Sequence, residues 1–362
     1  TGELDTQTLA VTDLYMTWNQ QYGSLLVGRA PVQFGLGITH SAGNGEFDHW
    51  FDRKDLVGYK LVVGNFFFMP MYGKVKEGDP QQDDDIYDYM FHGEYENLDT
   101  DLTLGFFYQK RAASASANDI DTTANIFNIP TSAGKERMDI KTYNLFVKKK
   151  NGPLAMALEA SMQDGNTGLI STATNEDVQL GGFALVGELN YSPDASNFRY
   201  NLKAGTISGD DKNTKNKYEG YLVNRNYDVA MILFNYVLGN QTGSILGNEN
   251  YIRGTTTKQQ VDVGQMSNTM YLSPGFDWRW SDKWGMNGRF TYAKLNRAQY
   301  DGQSKKLGTE LDLGLYYNPF ERFHIRLDTG YLWTGGAFRG DPSSPFEIKN
   351  AYGIMTKAAI SF

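Results

Sequence analysis

The stretch Phe323-His324-Ile325-Arg326-Leu327-Asp328-Thr329-Gly330-Tyr331-Leu332-Trp333 decides how this chain is read. One parity, Phe323, Ile325, Leu327, Thr329, Tyr331 and Trp333, is apolar with aromatic ends. The other carries His324, Arg326, Asp328 and Gly330. Side chains alternate between the two faces of a strand, so this segment has one greasy face and one wet one. The preceding segment repeats the pattern, with Leu307, Thr309, Leu311, Leu313, Leu315 and Tyr317 set against Glu310, Asp312 and Gly314. A turn is expected at 318–321 between them.

Working outward, the same alternation recurs at Met270–Arg279, Trp284–Tyr292, Phe198–Ala204 and Tyr87–Tyr95. About fifteen such segments of roughly ten residues run through the chain, the length of a tilted membrane-crossing strand. Short turns at 20–23, 64–65, 97–100, 150–153, 193–197, 281–283 and 318–321 alternate with long polar connections at 35–55, 77–85, 112–138, 164–177, 209–265, 298–305 and 335–349. Short turns on one rim and long loops on the other imply an all-β fold, a transmembrane antiparallel β-barrel with short periplasmic turns and long extracellular loops. A soluble sandwich would tolerate the alternation, but not the regular exchange of turn lengths or the aromatic residues at strand ends.

Composition supports this reading. Among 362 residues there is no cysteine, which excludes a disulfide scaffold and a thiol enzyme. The longest apolar runs, 66–71 and 229–238, fall far short of the roughly 20 residues of a helical span. A net charge of −8 argues against nucleic acid as a partner. The chain ends on an alternating strand, Tyr352, Ile354, Thr356, Ala358, Ile360 and Phe362. That ending resembles the assembly signal of bacterial outer-membrane proteins. The resemblance implies a single barrel domain over 1–362 in the outer membrane, with lipid and lipopolysaccharide around it. Fifteen strands are read, and bacterial barrels use an even number. About sixteen are expected, the last lying before Thr1 or within 209–265.

The run Leu26-Val27-Gly28-Arg29-Ala30-Pro31-Val32-Gln33-Phe34-Gly35, followed after a long connection by Leu56-Val57-Gly58-Tyr59-Lys60, resembles the early strands of alginate-export-type barrels and related porins. Ala30 and Pro31 depart from that pattern. The broader porin resemblance spans nearly the whole chain and implies a water-filled channel. Parity assigns its wall: Arg29, Lys60, Arg111, Arg199, Lys203, Arg279, Arg289 and Arg326 among the bases, and Glu310, Asp312 and Asp328 among the acids. If neighbours in sequence pair, Arg199, Lys203, Arg279 and Arg289 form one basic patch. The acids are expected to face it across the lumen, and charges on a pore wall set ion preference. Within 209–265, the apolar stretch 229–238 is expected to fold into the lumen as a short helix.

Catalytic and phosphate-binding motifs are absent, so no enzyme and no cofactor is expected. His40, Glu46, Asp48, His49 and Asp52 share one connection, but their spacing matches no metal site. Two functions remain open. The first is a porin passing small hydrophilic solutes with a weak anion preference. The second is a plugged structural barrel that engages a protein partner or forms an oligomer.

Overall fold

The computed structural model describes residues 12–48, 52–76, 86–113, 131–133, 137–235, 265–343, 345 and 347–360. Eighteen strands occur in chain order: β1 Leu14–Gln20, β2 Gly23–Pro31, β3 Arg53–Val63, β4 Phe66–Lys76, β5 Ile86–Asn97, β6 Leu102–Ala113, β7 Thr131–Ala133, β8 Met138–Asn151, β9 Leu154–Ser171, β10 Asp177–Leu180, β11 Phe183–Tyr191, β12 Phe198–Ile207, β13 Lys217–Tyr218, β14 Thr269–Arg279, β15 Trp284–Leu295, β16 Lys306–Phe320, β17 Phe323–Thr334 and β18 Ala351–Ile360. Three of these, β7, β10 and β13, are short additions at the long-loop rim. The other fifteen form an antiparallel meander, each strand paired with the next long one.

These fifteen are the strands expected from the sequence. The described part of 209–265 adds only the two-residue β13, paired in parallel with β10, and no further wall strand. β1 and β18 run in the same direction, and among the described residues no ladder joins them. Their outward side chains are correspondingly bare. Leu14 is 72% and Tyr352 80% exposed, against 38% for Leu311 on an interior strand.

The outer face is largely apolar, with Val27, Val57, Phe106, Leu158, Leu185, Leu272, Phe290, Leu313 and Ile354 all exposed. Aromatic rings gather along the short-turn rim. Phe198 stacks on Trp278 at 5.3 Å, Trp284 on Tyr317 at 4.2 Å, and Phe66 meets Tyr95 at 4.7 Å. At the long-loop rim, Tyr72 meets Tyr89, Tyr108 meets Tyr143, and Tyr331 meets Trp333. An apolar band between two aromatic girdles is what a bilayer stabilises and water does not.

The inner face is polar, and two connections fold against it instead of standing outside. Two sequence expectations change at strand ends. β16 continues to Phe320, so its turn is at 321–322 rather than 318–321. Leu307 does not follow Thr309 and Leu311 outward but is fully buried on the inner side. The register slips there, with Ala293 opposite Gly308 and Lys294 opposite Lys306. Gly308 adopts φ +147°, and a Cβ on it would lie 2.5 Å from the Trp333 carbonyl oxygen. That bulge reverses the parity of everything before it.

Replacing Gly308 with valine is therefore expected to cost about 1–3 kcal/mol through forced strain. The barrel should lose its heat-modifiable band at a lower temperature on cold-loaded gels. Gly187→Ala, whose new Cβ meets its nearest neighbour at an ordinary 3.5 Å, should leave that temperature unchanged.

Candidate functional site: two inward segments and a charged cavity

Residues 32–48 leave β2 and turn down along the inner wall. Val32 and Phe34 are buried against Leu56, Met71, Met90 and Phe107 of β3 to β6. A backbone that enters a barrel must find hydrogen-bond partners there. One comes from a wall carboxyl group: Glu159 of β9 accepts the Leu36 N–H at 2.6 Å. Gly35 makes this possible. Its φ is +50°, and a side chain there would strike the Glu159 carboxylate.

The rest of the segment is tied with similar density. Thr39 bonds Asn144 Oδ1 at 2.6 Å and Tyr221 at 2.9 Å, and Tyr221 donates to Ser161 at 2.7 Å. His40 Nε2 meets Gln109 Oε1 at 2.9 Å, with its ring 4.8 Å from Phe107. Burial, helped by the Lys54 charge, pushes its pKa down to about 3, so the ring is neutral. Beside it, Asp88 sits fully buried between Lys54 at 2.5 Å and Arg111 at 2.9 Å.

The second segment is 209–235; apart from β13 it forms turns and bends, and 229–235 is not the expected helix, while 236–238 lies outside the described residues. Tyr221, Val223, Tyr227, Val229, Ile232, Leu233 and Phe234 pack on Ala184, Val186, Ile207, Ala293, Leu295, Leu307 and Leu332 of the inner wall. Wall carboxylates again take the backbone. Glu310 accepts the Ile232 N–H at 2.6 Å and the Leu233 N–H at 2.7 Å, and Asp312 accepts that of Met231 at 3.2 Å. Ser273 and Thr291 donate to the Val229 carbonyl. The two segments also grip each other: Asn224 N–H donates to the Ile38 carbonyl at 2.8 Å, and its amide donates to Asp52 at 2.6 Å.

Between segments and wall lies a cavity of about 550 Å³. Its wall is Asn201, Asp277, Asn287, Arg289, Asp312, Arg326, Asp328 and Lys357, and the segments contribute Phe47, Asp48, Asp228, Met231 and Asn235. The expected wall residues divide on inspection. Arg289 lies in this cavity, held by Ser273 at 3.2 Å and Asn201 at 2.9 Å. Neither partner is charged, and among the described residues Arg289 makes no ion pair. Arg199 and Arg279 are on the inner parity of β12 and β14, below it towards the short-turn rim. Arg326 and Lys357 share Asp328, at 2.6 and 3.5 Å. Lys203 leaves the expected basic patch: it pairs with Glu188 at 3.1 Å and donates to the Asp228 carbonyl. Arg111 belongs to the Asp88 cluster near the long-loop rim. Lys60, on the inner parity of β3, rests on the Phe67 ring at 4.1 Å.

Two expectations are corrected. Arg29 is not on the lumen wall; it shares parity with Val27 and lies on the outer face in a two-bond ion pair with Asp55, each group about half exposed. Nor do the acids face the bases across the lumen. Arg289 stands directly opposite Asp312 on the adjoining strand, because consecutive strands of a meander are neighbours. Opposite charges therefore alternate along one wall. The candidate metal residues also disperse, with Asp48 folded onto the Gly45 N–H, Asp52 onto the Ser41 N–H and Glu46 beside His324; His49 lies outside the described residues.

No family model matches the chain, and the alginate-export resemblance is not shown. No curated protein matches it either. Among solved structures, OccK11 (OpdR) of Pseudomonas aeruginosa gives a TM-score of 0.50 at 9% identity, covering 96% of this chain and 80% of its own. The fold is that of an outer-membrane β-barrel. OccK5 (OpdH) and opdK of the same organism give 0.48 and 0.49, at 11% and 9% identity, over 96% and 95% of this barrel and 81% and 78% of their own chains.

The segment 32–48 was missed in the sequence because its polar tip, from His40 to Asp48, reads as solvated. The signal available was Val32, Phe34, Leu36 and Ile38, an alternation continuing past the end of β2. Glu310→Ala is expected to leave two buried N–H groups without an acceptor, a local cost of about 2–4 kcal/mol. Hydrogen exchange at 231–233 should then accelerate at least about 30-fold, while the cold-loaded barrel band persists.

Proposed function

We propose that the chain is an outer-membrane porin that lets small hydrophilic solutes diffuse passively through a lumen narrowed by 32–48 and 209–235, with a weak preference for anions. On this reading the apolar outer band faces lipid, the short turns are periplasmic, and lipopolysaccharide surrounds the long-loop rim. The whole chain from 1 to 362 serves as one barrel domain.

The observation that carries the anion preference is the unequal fate of the wall charges. Five wall acids are engaged at least in part: Glu159, Glu310 and Asp312 accept segment N–H groups, Glu188 binds Lys203, and Asp328 binds Arg326 and Lys357. Arg289 has only neutral partners, and Arg199 has no ion pair among the described residues. A solute in the lumen therefore meets arginines whose charge the wall does not cancel. The cavity's amides, Asn201 and Asn287, offer neutral hydrogen bonds to replace those lost with water.

Planar-bilayer recording tests this. Reconstituted protein should conduct, with a reversal potential in a salt gradient shifted towards anions. Removing one unit charge about 6 Å from the ion path changes the ion's energy by roughly 0.7 kcal/mol in water. Arg289→Ala should thus lower the anion-to-cation permeability ratio about tenfold, roughly threefold from each ion. A folded, heat-modifiable barrel without conductance contradicts the porin and leaves the plugged barrel as the reading.

A further inference from the structure

The inward segment 32–48 is unevenly attached. Its base, 33–42, is fixed by Glu159, Gln109, Asn144 and Asp52. Its tip, 43–48, closes on itself: Gly45 N–H donates to Asp48 Oδ2 at 2.8 Å, and Asp48 N–H to the Gly45 carbonyl at 3.1 Å. Among the described residues the tip reaches the wall near the short-turn rim through two contacts. Phe47 lies beneath Lys357, 5.6 Å from the ammonium, and Glu46 Oε1 lies 3.3 Å from Nε2 of His324.

The second face of that imidazole identifies the state in which the contact is strong. His324 Nδ1 is 3.0 Å from Asn318 Oδ1. With an oxygen before each ring nitrogen, both nitrogens donate only in the imidazolium form. A neutral ring keeps a proton on one nitrogen and loses the charge attraction to Glu46. The other charged groups along this wall do not replace it. Arg326 and Lys357 are engaged with Asp328; on β16 the nearest titratable side chain of the same parity is Tyr316, bonded to Asp277; Ala359 stands opposite His324 on β18; Asp48, the tip's other acid, is turned to Gly45. Among the described residues Glu46 has no second cation in ion-pair range.

We propose that Glu46 and His324 form a proton-dependent clamp that holds the tip 43–48 against the wall and so sets the width and charge of the cavity. Closed, the clamp keeps Phe47 and Asp48 in the cavity lining with Arg289 and Arg326. Open, it withdraws one aromatic ring and one carboxylate, leaving a wider and more basic passage. The consequence for permeation rests on the porin reading; the clamp itself does not.

The test uses the absence of native cysteine. Spin labels at Asn44→Cys on the tip and Glu321→Cys on the adjacent turn report tip position by pulsed dipolar spectroscopy in lipid nanodiscs. Measurements should span pH 5 to 8, where histidine changes charge. The short-distance population should dominate at pH 5 and give way to a longer one at pH 8. In the labelled His324→Gln protein the distribution should not move with pH, and in His324→Lys the short population should persist at pH 8. A wild-type distribution invariant across this interval, or a shift that survives His324→Gln, overturns the clamp. Single-channel conductance of the unlabelled protein should rise with pH only when His324 is present. A distance shift in a barrel that conducts nothing supports the clamp and contradicts the porin reading alone.

Discussion

Backbone N–H groups that enter a barrel need acceptors, and three wall carboxylates provide them here. Glu159 takes the Leu36 N–H, and Glu310 with Asp312 takes 231–233. Each pairing joins a flexible connection to a strand whose own position is set by its ladder. Without it, irregular chain at membrane depth would carry unsatisfied donors costing several kcal/mol each. The hydrophobic packing of Phe34 on one side and of Ile232 and Leu233 on the other lies around these pinned turns.

This constraint also shapes the field in the lumen. A carboxylate committed to main-chain donors is a weaker attractor for a passing cation than a solvated one. Glu159, Glu310 and Asp312 hold backbone donors, whereas Arg289 is held by a hydroxyl and an amide. The meander has a further effect. Because Arg289 and Asp312 are register partners on adjacent strands, opposite charges lie side by side, and the cross-lumen field of oppositely charged walls does not form from these groups.

Most of the wall was legible in the sequence, for a plain physical reason. Period-two alternation is imposed by strand geometry and by the contrast between lipid and water, so the fifteen long strands and the alternation of turn lengths could be read residue by residue. Parity failed where the backbone or the chemistry departed from that rule. At Gly308 a bulge turned Leu307 inward. At Arg29 charge suggested the lumen, but the residue follows Val27 outward and is accommodated by Asp55. The inward segments were harder still. The apolar stretch in 209–265 announced a need for burial without saying how, and it is met by turns rather than a helix. In 32–48 the alternating apolar residues are few and the polar tip dominates the composition. The partners that hold it, Glu159, Gln109 and Asn144, lie more than sixty residues away in the chain, beyond the reach of local pattern.

The claim that the wall acids serve mainly to pin the inward segments is tested most directly by single-channel conductance of the Glu159→Ala, Glu310→Ala, Asp312→Ala protein. Released segments should give a larger and noisier conductance than the parent barrel, with the heat-modifiable band retained. A conductance equal to that of the parent, in a barrel equally well folded, contradicts the account.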